Sequence, residues 1–267
     1  MMFEPKSIIN LAHQAGQAIM GVYNSDFAVE TKDDASPLTQ ADLASHQCIV
    51  QGLARLTPSI PVLSEESSAQ DIEDRMGWSL YWLIDPLDGT KEFVKRNGEF
   101  TVNIALIQNH QPIFGVVHAP ALQATWWGHQ GYGAFKICPD GSQTPIQVRL
   151  RPDHVSDWKV VGSRSHQSQE FEAFMQNHPG AQLVSIGSSI KMCLVAEGLP
   201  TCIHALVQPA NGTLPPRMRL SRLRVVKCCN ILACSPCATT PAHTHYSTHI
   251  FWFVTQRYDI CHSSAPN

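Results

Sequence analysis

The chain has 267 residues, 43% of them apolar and 15% charged, with a formal net charge of −3. That balance excludes a disordered polymer and suits one large domain or two small ones. No apolar run approaches the roughly 20 residues of a membrane span. Residues 1–6 also lack the basic-then-apolar layout of a secretory leader. The expected location is the cytoplasm, with peripheral attachment to the inner membrane as a variant.

In chain order, Ile8, Ile9, Leu11, Ala12, Ala15, Ile19 and Val22 recur at helical spacing and predict an amphipathic helix over 6–23. A second helix is expected from Thr39 to about Leu56. Thr39 and Asp42 form a capping box there, and Leu43, Ile49, Val50, Leu53 and Leu56 form the inner face. Pro61–Ser64 and Leu80–Ile84 read as short buried strands, each running into acids. Thr101–Ile107 and Ile113–His118 flank Asn109-His110-Gln111-Pro112 and read as a hairpin. Gly128, Gly131 and Gly133 separate further strands. Beyond them, strands are expected at 159–162 and 183–186 and helices at 169–175 and 188–197. Helices, then a mostly antiparallel sheet, then strand–helix alternation predict a layered α/β (α+β) arrangement.

The most informative stretch is Trp82-Leu83-Ile84-Asp85-Pro86-Leu87-Asp88-Gly89-Thr90. An apolar strand delivers Asp85 to its end, Pro86 is expected to force a turn, and Asp88 returns toward the same point. Gly89 allows close backbone approach, and Thr90 opens a helix with its hydroxyl and amide forward. Two carboxylates beside a helix start suit a hard divalent cation with a phosphate. Ser64-Glu65-Glu66 adds two acids at another strand end. Asp33-Asp34-Ala35-Ser36-Pro37-Leu38-Thr39-Gln40-Ala41-Asp42 is a third acid-rich turn before a helix. Each feature alone is common in solvated loops and helix starts; their combination in this order is not.

These residues resemble the inositol monophosphatase superfamily, within it the 3'(2'),5'-bisphosphate nucleotidase branch. The likeness is carried by Leu63-Ser64-Glu65-Glu66, Asp85-Pro86-Leu87-Asp88-Gly89-Thr90, Lys91-Glu92-Phe93 and the 96–103 segment. Gly162-Ser163-Arg164-Ser165-His166 and the run from Gly187 to Gly198 continue it, so it spans residues 6–198. The resemblance implies the superfamily's layered sandwich and a Mg²⁺-dependent, lithium-sensitive phosphomonoesterase. Its small-molecule substrate would be adenosine 3',5'-bisphosphate, the by-product of sulfate activation, rather than a nucleic acid. An inositol- or sugar-phosphate phosphatase is the alternative.

By position, the resemblance makes Glu65, Asp85, Asp88 and the Leu87 carbonyl the metal ligands. Two ions about 3.5–4 Å apart activate a water and stabilise the leaving oxygen in such sites. Asp34 with the Thr90 hydroxyl would orient and deprotonate the water, with Glu65 also in the catalytic set. The Gly89 and Thr90 amides would receive the phosphate beside Glu65, Leu87 and Asp88. Ser189 and Lys191 would contact the nucleotide, and His166 reads equally as a structural donor.

Composition breaks after residue 198. Up to Gly198 there are 13 basic and 21 acidic side chains; from Leu199 onward 6 basic residues face one acid, Asp259. Three of the nine cysteines precede the break and six follow it. The family's Ala-Asp-Leu-Tyr-Pro-Arg and Trp-Asp segments, the second carrying a metal ligand, are missing here. Regrouping the codons of 200–206, 211–216 and 247–252 one base earlier can restore family motifs in family order. We read 1–198 as the phosphatase domain and 199–267 as a frameshifted tail, poorly soluble and locally disordered. Cys229, Cys234 and Cys237, with His243, His245 and His249, have zinc- or cluster-like spacing. A non-enzymatic metal-binding protein is therefore the rival reading, although a frameshift makes that spacing, and the basic run 217–227, accidental.

Overall fold

Helix α1 (Pro5–Tyr23) opens on a proline, whose missing N–H falls where the helix has no partner to offer. Its apolar stripe, Ile8 to Ile19, is buried as the spacing predicts. The computed structural model describes residues 3–31, 37–67, 77–109, 111–148, 152–164, 169–199 and 202–203. After α1, β1 (Val29–Thr31) and β2 (Pro37–Thr39) form an antiparallel pair where the sequence suggested only an acid-rich turn. Helix α2 (Gln40–Leu56) then starts on the expected Thr39–Asp42 capping box. It lies tight against α1: a Cβ on Gly52 would sit 2.3 Å from Leu11 Cδ1.

The inner face of α2 differs from expectation. Ile49 and Leu53 are buried, but Leu43 and Leu56 are 44% and 42% exposed, while Asp42 and Ser45 are buried. The first turns of this helix face polar loops, so polar side chains occupy the inner positions there.

The large sheet has the order β3-β4-β5-β6-β7-β8-β9. Its strands are β3 (Val62–Ser64), β4 (Leu80–Asp88), β5 (Thr101–Gln108), β6 (Gln111–Ala119), β7 (Ala124–His129), β8 (Gly133–Ile137) and β9 (Gln143–Pro145). Only β3 and β4 run parallel. Because side chains alternate along a strand, Trp82 and Ile84 join Val102, Ile104 and Leu106 against α1 and α2. Tyr81 and Leu83 join Ala105 and Ile107 on the opposite face, against Ile190, Met192 and Cys193.

That opposite layer holds a second sheet of order β11-β10-β12: β10 (Lys159–Ser163), β11 (Gln182–Ile186) and β12 (Cys202–Ile203). Among the described residues its strands are all parallel. Three further helices are α3 (Thr90–Val94), α4 (Gln169–Gln176) and α5 (Ile190–Ala196). Helix α5 stops in a Schellman arrangement, with Leu199 N–H donating to Leu194 O and Gly198 N–H to Val195 O. Beyond it, Cys202 and Ile203 pair with Val160 and Val161. The rest of the tail, with its Cys/His spacing, lies outside the described residues. No described helix is long and apolar enough to cross a membrane.

Arg96 fastens the end of α1. Its guanidinium donates to Tyr23 O (2.5 Å) and Ser25 O (2.7 Å) and lies 4.9 Å from the Phe27 ring centre. Charged hydrogen bonds of this kind contribute about 1.5–3 kcal/mol each when shielded and less at an exposed site. Arg96→Ala is therefore expected to destabilise the fold by about 2 kcal/mol. A urea midpoint indistinguishable from wild type would show that these contacts add nothing.

A pair of histidines, buried His118 and half-buried His13, joins α1 to the sheet. His13 Nε2 and His118 Nδ1 both bond Thr125 Oγ1, at 2.8 and 2.9 Å, with ring centres 4.6 Å apart. Burial, then the neighbouring His13, hold the His118 pKa down from 6.5 to about 4. The unfolded chain therefore binds more protons between those values, and stability is lost as pH falls from about 6.5 to 4. The loss amounts to about 3 kcal/mol. His118→Gln is expected to flatten the wild-type slope in that window; parallel stability–pH curves would contradict this.

Candidate active site

The Asp85–Thr90 segment is built on the end of β4. Asp85 pairs with Asn103 but Asp88 pairs with Thr101, so three steps on β4 oppose two on β5. This is a β-bulge inside a continuing strand, not the expected turn. Pro86, which has no N–H to give the ladder, is accommodated at the irregularity. The buried Ser45 hydroxyl on α2 donates to Pro86 O at 2.7 Å, pinning the bulge to the helix layer. Gly89 follows at φ 93°, a conformation that favours glycine. A Cβ there would lie 2.9 Å from Glu99 O and 3.0 Å from Ser188 Cβ.

The bulge aims Asp88 across the layers. Its Oδ2 accepts from the Ser189 N–H at the start of α5 and from the Thr101 hydroxyl at 3.5 Å. Ser189 is fully buried; its hydroxyl bonds Thr101 Oγ1 (2.6 Å) and Asn103 Oδ1 (2.9 Å). Burial pushes the Asp88 pKa up to about 6. Lys191 and the Ser189 N–H pull it down, while the Glu65 and Glu92 charges add to the rise. The charges of Glu65, just past β3, and of Lys191, on α5, thus both act on the Asp88 carboxylate.

Thr90 opens α3. Its hydroxyl lies 3.4 Å from Asp42 Oδ1 and 3.3 Å from Leu87 O, and can donate to either. The other Asp42 oxygen accepts from the Thr39 N–H (2.8 Å) and hydroxyl (2.7 Å). Sequence reasoning made Asp42 a cap within an acid-rich turn and gave it no catalytic role. Asp34, expected beside Thr90, lies outside the described residues, as does His166. Just past β3, the Glu65 N–H donates to Ile84 O (3.3 Å), tying that strand end to β4. His46, one turn beyond Asp42 on α2, bonds the Ser64 hydroxyl at 2.8 Å.

No group of three or more His, Cys, Asp or Glu side chains is gathered closely enough to hold a metal ion among the described residues. The donor chemistry nevertheless fits a hard cation: the carboxylates of Glu65, Asp85 and Asp88 and the Leu87 carbonyl are all oxygen donors. The acid–acid repulsion felt by Asp88 is of the kind that a cation relieves.

A family model, the inositol monophosphatase family, matches residues 6–205. The chain belongs to that family. It is 50% identical over 196 residues to the 3'(2'),5'-bisphosphate nucleotidase CysQ of Salmonella typhimurium, covering 72% of this chain and 76% of that one. The CysQ of Escherichia coli strain K12 gives 50% over 194 residues, with the same shares. The crystal structure of CysQ from Bacteroides thetaiotaomicron superposes with a TM-score of 0.61 and 38% identity, over 73% of this chain and 77% of that one. At 24% identity and a TM-score of 0.61, the IMPase of Thermotoga maritima shares the fold, over 72% of each chain. The layered sandwich is thus the inositol monophosphatase fold, and the chemistry of this family member is phosphate ester hydrolysis.

Proposed function

We propose that this family member is built to remove the 3'-phosphate of adenosine 3',5'-bisphosphate, giving AMP and phosphate in the cytoplasm. The observation that carries this reading is the 50% identity to bisphosphate nucleotidases over 196 residues. Mg²⁺ is the proposed cofactor, held by Glu65, Asp85, Asp88 and the Leu87 carbonyl. When bound, it supplies electrophilic stabilisation of the phosphoryl oxygens and lowers the pKa of a nearby water.

The residues of the chain divide the remaining work. The Thr90 hydroxyl donates to Asp42, which leaves its oxygen lone pairs to accept a proton from the attacking water. Asp42 then takes the Thr90 proton, so one proton moves two short steps toward the helix layer. This assigns to Asp42 the role that the sequence alone suggested for Asp34. The Gly89 and Thr90 amides receive the phosphate. Ser189 lines the nucleotide side, and Lys191 offers a point charge to the second phosphate.

The tail bears on activity. The family match ends at 205, and the 199–267 composition supports a one-base frameshift. A frame-restored chain is expected to release phosphate from adenosine 3',5'-bisphosphate with Mg²⁺ and to be inhibited by Li⁺. Faster release from inositol 1-phosphate would overturn the substrate assignment in favour of an inositol phosphatase.

A further inference from the structure

Two glycine turns meet where the layers join, and the Glu99 carbonyl touches both, with the Glu92 side chain also against Gly187. A Cβ on Gly89 would sit 2.9 Å from the Glu99 carbonyl oxygen, and a Cβ on Gly187 would sit 3.1 Å from the same atom. The first turn carries the proposed phosphate-receiving amides. The second leads from β11 into Ser189 and Lys191. Their close approach is possible because neither has a side chain.

The carboxylate of Glu99 reaches the second turn as well. Its Oε2 accepts from the Gly187 N–H at 2.7 Å and from Arg164 Nε at 3.0 Å, and its Oε1 accepts from an Arg164 terminal nitrogen at 2.6 Å. That nitrogen also donates to Ser185 O at 2.9 Å. Arg164 follows β10 and Ser185 lies on β11, so the guanidinium ties both strand ends of the small sheet to the segment before β5. The two-pronged geometry is one that lysine cannot reproduce.

We propose that Glu99 and Arg164 are positioning residues that fix the Gly187–Ser189 turn against the Gly89 turn and so set the fit of the nucleotide half of the substrate. The proposal rests on the bisphosphate nucleotidase reading for its substrate, but not for its geometry. Ser189 has a second anchor, its hydroxyl on Thr101 and Asn103. Loss of the Glu99 clamp therefore leaves the Ser189 contact to Asp88 supported. What loosens is the Gly187–Ser188 backbone and the approach of Lys191, which belongs to binding more than to turnover.

Two measurements test this. In the 267-residue chain, hydrogen exchange over 185–191 is expected to quicken about tenfold in Glu99→Gln and in Arg164→Lys, a loss of local protection, while β5 and β6 keep theirs. Unchanged protection at 185–191 overturns the clamp. In a frame-restored chain, the KM for adenosine 3',5'-bisphosphate is expected to rise about 10- to 100-fold with a smaller fall in kcat. Arg164→Lys should be no better than Arg164→Met. An equal fall in kcat at unmoved KM, or full rescue by lysine, overturns the positioning role. If the frame-restored wild type does not turn over this nucleotide, the substrate reading fails, and the exchange experiment decides the clamp alone.

Discussion

Asp42→Asn in a frame-restored chain is expected to lower kcat by about 10²–10⁴, the range for losing a positioned proton acceptor. The expectation follows from the hydroxyl of Thr90, which lies 3.4 Å from Asp42 Oδ1; Asp34→Asn is the comparison. Asparagine retains an oxygen that can accept from the Thr39 N–H, so the start of α2 survives at a cost of about 1 kcal/mol or less. Thr90→Ala should produce a comparable loss. The double variant should be little worse than either single one, because residues that act as a unit do not add. Steady-state kinetics on the four variants checks this. A silent Asp42→Asn with a crippled Asp34→Asn would return the role to the upstream acid.

The second large effect concerns the tail. The 267-residue chain as written is expected to show turnover lower than the frame-restored chain by at least about 10²–10³, the typical cost of removing one electrostatic stabiliser of a transition state. Glu65, Asp85 and Asp88 are present, but beyond residue 198 the sequence offers one acid, Asp259. A second cation would lack its expected Trp-Asp carboxylate, leaving phosphate poorly neutralised among acids. A reduced folded fraction should deepen the loss. Assaying both chains on adenosine 3',5'-bisphosphate decides the matter, and equal turnover would refute the frameshift reading of the tail.

Much of this architecture can be read from local pattern. The span of α1 follows from apolar spacing, and the start of α2 from Thr39 and Asp42. Strands β4 to β6 follow from apolar runs broken at Asn109. The misses share a cause, which is that tertiary contacts assign second roles to residues already explained locally. One Asp42 oxygen satisfies the capping box, so nothing in the sequence asks where the other points. Pro86 reads as a turn because the pattern cannot see that β5 continues opposite it and absorbs the extra residue. Leu43 reads as core by periodicity, yet it is exposed beside the buried Asp42. Glu99 and Arg164 lie 65 positions apart in the chain, and no spacing rule joins them.

From β4 to β9, every strand of the large sheet pairs with the next one in sequence. Each pairing therefore closes a short loop, so this half of the molecule has low contact order and can zip up early. The small sheet is different. Its central strand β10 takes parallel partners on both sides, one of them beyond α5, so it can be completed only late in synthesis. If the tail is the product of the proposed frameshift, a ribosome reaching codon 199 has already released every strand of the meander. Such a product should emerge as a well-formed first sheet beside an incomplete second one, a persistent partly folded species rather than an unfolded chain.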